Sequence, residues 1–196
     1  MKKLFFTLIF LSTLSSAFTF DIWESKITLD EAIQIAESND IPLHKDGSIS
    51  INKKFDIRFL YLKKYPNNRV FSYSTTLLNK RANVMLYFTK HSKELYSVKI
   101  RWGMYTKDFM NTLYQLLDKK YGQKKVVIPS NIGELILYKT RQWQPDKNTL
   151  VQNKTSIGTT DLTYYDIEET HKEEEERKKI QIEKKEKALI KDANKF

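Results

Sequence analysis

The chain has 196 residues, 40% of them hydrophobic and 13% aromatic, with no cysteine and a formal net charge of +10. Those proportions suit one domain with a packed core plus an appendage. The missing cysteine excludes disulfides, cysteine-type zinc sites and a lipoprotein leader, whose first mature residue must be cysteine.

Lys2 and Lys3 precede an apolar run from Leu4 to Leu14, and Ser15-Ser16-Ala17 supplies the small-x-small pattern cut by a signal peptidase. The run is about half of the roughly 20 apolar residues that a membrane-spanning helix needs. Residues 1–17 therefore read as a cleaved signal peptide, with no transmembrane anchor expected. Abundant Lys, Asn and Ile with only five glycines fit a Gram-negative bacterium with an AT-rich genome, so the expected localisation is the periplasm. Loss of Lys2 and Lys3 leaves +8, and residues 167–196 carry nine acidic and nine basic side chains, so the whole excess belongs to residues 18–166. A basic exported body points to an acidic protein, the cell wall or an anionic lipid surface, and the compartment argues against nucleic acid.

Thr28-Leu29-Asp30-Glu31 is a capping box opening a helix with Leu29, Ala32, Ile33 and Ala36 on one stripe, and Asn39-Asp40 and Pro42 end it. His44 to Ser48 reads as a turn, and Ile49 and Ile51 as a short strand. Phe55 to Leu62 alternates in a way that favours another strand while leaving a short helix open, and Pro66-Asn67-Asn68 breaks whichever it is. Phe71, Tyr73, Thr75 and Leu77 share one face of a strand, and Asn79-Lys80-Arg81 turns the chain. Val84, Leu86 and Phe88 then face inward. After His91-Ser92-Lys93, Tyr96, Val98, Ile100 and Trp102 alternate with Ser97, Lys99 and Arg101.

Thr106 caps a second helix whose face of Phe109, Met110, Leu113, Leu116, Leu117 and Tyr121 should cover the Val84, Val98 and Ile100 side of this meander, and Gly122 closes it. Strand candidates follow at 134–141, 148–152 and 160–166, with turns at Gln144-Pro145-Asp146 and Ser156-Ile157-Gly158. The predicted fold class is α+β: antiparallel meander sheets with a helix packed on one face, compatible with a duplicated α-β-β-β unit, followed by a charged helix. Thr28-Leu29-Asp30 and Thr106-Lys107-Asp108 are the matching helix starts. Over residues 25–166 this order resembles that of the β-lactamase inhibitor protein family of small bacterial envelope domains. The resemblance implies protein binding without catalysis.

Residues 167–196 contain no proline or glycine and place Glu168–Lys172, Glu173–Arg177, Glu174–Lys178, Glu175–Lys179 and Glu183–Lys187 at i,i+4 with the acid first. At about 0.2–0.5 kcal/mol each, such pairs bias the segment to a solvated helix. Ile182, Leu189 and Phe196 keep a seven-residue step, but the alternate positions are charged, so no stable coiled coil is expected. The tail reads either as a solubilising terminus that frays or as a spacer or docking arm with Ala188, Leu189, Ile190, Ala193 and Phe196 at its adhesive end.

Chemistry is sparse. His44, His91 and His171 lie in polar stretches without ligand partners at useful spacing, no G-x-S-x-G or S-x-x-K element occurs, and the isolated glycines build no phosphate loop. No catalytic residue, cofactor or metal is expected. Trp102, Trp143, Tyr138, Tyr164 and Tyr165 occupy strands near cations. The best surface candidate is the meander's polar face, with Lys99 and Arg101 beside Tyr87 and Met85. The expectation is a non-enzymatic periplasmic binding or assembly protein, an accessory of an envelope-spanning secretion, motility or outer-membrane assembly apparatus. Its partner-binding candidates are Tyr87, Lys99, Arg101, Leu189 and Phe196. A module binding peptidoglycan or anionic lipid is the competing class, and a hydrolase is the third.

Overall fold

A computed structural model describes residues 17–45, 69–90, 92–103, 105–123, 126–132, 135–156 and 158–193. Residues 1–16 of the anticipated signal peptide, the strands anticipated at Ile49–Ile51 and Phe55–Leu62, His91 and Phe196 lie outside the described residues. A short hairpin of β1 (Thr19–Phe20) and β2 (Trp23–Glu24) leads into α1 (Leu29–Ser38). Then come β3 (His44–Lys45), β4 (Val70–Leu77), β5 (Lys80–Phe88), β6 (Leu95–Gly103) and α2 (Lys107–Tyr121). β7 (Val126–Ile132), β8 (Leu135–Trp143), β9 (Thr149–Ser156), β10 (Thr159–Asp166) and the long α3 (Ile167–Ala193) complete the chain.

Eight of these strands form one antiparallel sheet in the order β3-β4-β5-β6-β10-β9-β8-β7. Two meanders, each following its own helix, thus meet through their last strands, with Ile100 of β6 opposite Leu162 of β10. The α+β class is as anticipated, and α1 and α2 are each followed by four described strands rather than three. Both helix starts are capped as expected. The Thr28 N–H donates to Glu31 Oε2 (2.7 Å), the Glu31 N–H donates to Thr28 Oγ1 (3.3 Å), and the Phe109 N–H donates to Thr106 Oγ1 (3.2 Å).

One face of the sheet, the inner one, carries the core. Phe71, Tyr73, Val84, Leu86, Phe88, Val98, Ile100 and Trp102 are buried there against Leu29, Ala32, Ile33 and Ala36 of α1 and Phe109, Met110, Leu113 and Leu117 of α2. The N-terminal hairpin lies in the same layer. The Phe18 and Phe20 rings are 6.1 and 5.3 Å from that of Tyr164, and Trp23 Nε1 donates to Tyr73 Oη at 2.8 Å. That bond satisfies both polar groups where water has no access.

Toward β9 and β8 the inner face turns polar. Asn153, wholly buried, donates to Thr160 Oγ1 and the Asp161 carbonyl, and its Oδ1 accepts from Tyr114 and Thr155. The Arg141 guanidinium stacks 3.5 Å from the Tyr114 ring centroid, and Trp143 Nε1 donates to Asp118 at 2.8 Å.

Several expectations need correction. His44 and Lys45 are not a turn but pair with Ser72 and Phe71, extending the sheet by a short edge. The β4–β5 turn is Leu78-Asn79, both residues at positive φ (52° and 57°) as a two-residue type I′ turn requires, so Lys80 and Arg81 belong to β5. Leu116 is 46% exposed, because the stripe that α2 presents to the sheet is narrower than its apolar sequence. Tyr96 does not share the face of Val98, because a bulge opposite Tyr87 and Phe88 resets the pleat and gives the inward position to Leu95. β7 and the N-terminal hairpin had no clear sequence signal. α3 is not solvated from its start. Glu169 and Glu173 are buried, and Glu173 turns away from Arg177 to pair with Arg69 while also accepting the Lys90 N–H at 3.0 Å. Among the anticipated helical pairs, Glu168–Lys172 forms at 2.8 Å.

Candidate functional site: the outer sheet face

Strand alternation sends every second side chain to the sheet face opposite the helices, and the register sets them in rows. Asn83, Arg101, Asp161 and Lys154 are consecutive partners across β5, β6, β10 and β9. The next row is Met85, Lys99, Thr163 and Gln152, and the third is Tyr87, Ser97, Tyr165 and Leu150. Three of the predicted site residues, Tyr87, Lys99 and Arg101, therefore share one patch on adjoining strands.

Arg101 donates from Nε and Nη2 to the two oxygens of Asp161, at 2.8 and 2.9 Å. This fork fixes the guanidinium plane and largely neutralises it, although about half of the side chain remains exposed. Lys99 Nζ lies 5.7 Å from the Tyr87 ring centroid, within cation–π range. The bulge brings Tyr96 against Tyr87, with ring centroids 6.4 Å apart at 64°. Ser97 and Thr163, the small residues between these long side chains, are shaded from solvent.

All three phenols on this face stay protonated. Burial raises the Tyr87 and Tyr165 pKa, and burial together with nearby Glu173 pushes Tyr96 up to about 12. The patch thus offers neutral hydroxyl donors, aromatic faces and a cation, a set suited to an extended segment with carboxylates and apolar side chains. It lacks a nucleophile beside a base. Among the described residues, no group of three or more His, Asp or Glu side chains is placed to hold a metal ion.

Of the other sequence candidates, Leu189 is 70% exposed on α3, far along the helix from the patch, and Trp102 and Tyr164 are core residues. Tyr96, Tyr165 and Asp161 belong to the patch without having been singled out for it. Tyr165 and Asp161 follow from strand alternation once β10 is set beside β6, whereas Tyr96 depends on a bulge that no glycine or turn residue marks. No protein-family model, curated protein or solved structure matches the chain. None of these comparisons supports the likeness to envelope inhibitor domains that the order of predicted elements suggested.

Proposed function

We propose that the protein is an exported, non-enzymatic binding or assembly protein of the cell envelope that grips an extended acidic segment of a protein partner on its outer sheet face. The observation that carries this reading is the cluster of Tyr87, Tyr96 and Lys99 on a face that a one-sided antiparallel sheet would otherwise fill with short polar residues. The basic leader with its apolar run and Ser15-Ser16-Ala17 supports export to the periplasm. The +8 of residues 18–166 supports an acidic partner.

The test compares partners recovered from native envelopes by the parent protein and by a Tyr87→Ala, Lys99→Glu double variant, whose changes lie outside the core. Loss of a recovered acidic protein by the double variant supports the reading, and identical recovery removes it. Sedimentation with purified peptidoglycan at low and high salt addresses the competing class: salt-sensitive sedimentation of the parent, unchanged in the variant, would assign the basic charge to the cell wall instead.

A further inference from the structure

A cleft of about 570 Å³ opens where α3 leaves the body, within the ~300–1,000 Å³ of small-molecule sites. Its cations come from three places: Arg69 ahead of β4, Lys90 and Lys93 in the β5–β6 connection, and Arg177 and Lys184 on α3. The last two are seven residues apart and so share one side of the helix. Two carboxylates also line the cleft. Glu173 has both oxygens engaged, one by Arg69 and the other by the Lys90 N–H, and Glu176 makes contacts of its own. The lining therefore carries five positive charges against two negative.

The geometry points to an anion site that takes a ligand bearing more than one phosphate group. Cations that converge from a helix and from the body it departs from repel one another, and a multivalent anion between them converts that repulsion into charge-assisted contacts on both sides. Arginine matches phosphate oxygens as a fork and lysine as a point charge, so both kinds of cation here have a use. Glu173 anchors α3 one turn before Arg177, and a bound anion extends that anchorage through Lys184. Ligand binding then fixes the direction in which the exposed Leu189 and Ile190 project. The cleft adjoins the outer-face patch at Tyr96, which feels the charges of Glu173, Arg69 and Arg177, but its Arg177 and Lys184 are distinct from the patch's Tyr87 and Lys99.

Inorganic pyrophosphate is titrated calorimetrically into the full chain at constant ionic strength, with hydrogen exchange followed over residues 177–184. Vesicles of phosphatidylcholine with or without cardiolipin, whose headgroup carries two phosphates, form a second arm. Saturable pyrophosphate binding that protects 177–184 is expected. An Arg177→Gln, Lys184→Gln variant should bind about tenfold more weakly or worse, as two charge-assisted contacts are lost. A Lys178→Gln, Lys185→Gln variant removes the same charge from residues that do not line the cleft and should bind within twofold of the parent. Circular dichroism checks that both retain the helix. Binding to cardiolipin vesicles that pyrophosphate displaces assigns the site to lipid headgroups, and pyrophosphate binding alone assigns it to a soluble phosphate. Absence of saturable binding in both arms, or equal weakening by the two variants, overturns the site.

Discussion

Replacing Glu173 by alanine should loosen α3 without unfolding the sheet. The carboxylate is almost fully buried, accepts the Lys90 N–H at 3.0 Å and pairs with an Arg69 side chain that is 36% exposed. A hydrogen bond to a charged group contributes about 1.5–3 kcal/mol. The ion pair adds little more, because Arg69 can turn to water. The loss is therefore about 2–3 kcal/mol, which corresponds to a roughly 30- to 150-fold larger opening constant for the helix root. Beyond Glu173, α3 leaves Ile182, Leu189 and Ile190 exposed, so few apolar contacts oppose its release.

Native-state hydrogen exchange separates this local effect from a global one. Amides of residues 169–180 in the Glu173→Ala variant should exchange faster by that factor, whereas those of residues 98–102 in β6 should change less than about threefold, because the strand's pairing to β5 and β10 is untouched. Unchanged exchange in α3 would refute the anchoring role. Equal acceleration in α3 and β6 would refute the idea that the helix root opens separately from the sheet.

Asp166 caps α3 by accepting the Glu169 N–H at 3.1 Å, yet its other oxygen is buried without a hydrogen-bond partner. Burial, aided by Glu169 and Glu168, raises its pKa, so the folded state holds the proton more tightly than the unfolded chain. Stability from this group is therefore gained as pH falls through the raised folded value and lost as pH rises. Asp166→Asn keeps the cap and should be more stable than the parent at pH 7 in urea unfolding, with the gap narrowing as the pH falls; a constant or reversed gap contradicts this. Thr28→Ala removes half of the capping box and should cost about 1 kcal/mol, a fall of roughly 2–4 °C in Tm. Leu78 holds φ +52° in a type I′ turn, and Leu78→Asn should raise stability by up to about 1 kcal/mol in the same assay. Leu113→Ala should cost about 2–5 kcal/mol and Leu116→Ala less than about 0.5, a contrast that tests which face of α2 meets the sheet.

Local chemistry made much of the fold readable. Thr28 and Glu31 announce a helix because their side chains complete backbone groups within one turn, and the alternation of Val84, Leu86 and Phe88 announces a strand because the pleat has a period of two. Tertiary choices were not readable. Leu116 is as apolar as Leu117, and only the position of the sheet decides which of them is covered. Tyr96 reaches the outer face through a bulge fixed by how β5 and β6 close around residues 89–94, where Thr89 Oγ1 accepts the Glu94 N–H at 3.0 Å. Glu173 has an ideal local partner in Arg177 but takes Arg69, which is 104 positions away in sequence. Within the site, Tyr87, Lys99 and Arg101 were accessible to period-two reasoning inside one hairpin. Asp161 and Tyr165 required knowing that the two meanders join through β6 and β10.

That junction gives the outer face its character. Had the meanders met through their first strands, β3 and β7 would lie at the centre, and the longer β6 and β10 would be edges inviting pairing with other chains. Joining the last strands instead puts β6 and β10 in the middle, with Arg101 and Asp161 neutralising each other across the seam, while α1 and α2 both pack on the inner side. A sheet covered by helices on one face needs only polarity on the other, which Ser, Thr and Gln supply at little cost. Tyrosine is not required there for solubility. Cross-strand stabilisation explains one aromatic pair, Tyr87 with Tyr96, at roughly 0.2–1 kcal/mol. It does not explain why Lys99 lies over the Tyr87 ring, or why Tyr165 follows in the same row as Tyr87. Those placements extend an apolar and hydrogen-bonding surface from one meander across the seam to the other. A partner on this face would therefore read both halves at once, and a substitution at Tyr165 in the second half should weaken its binding as one at Tyr87 in the first half does.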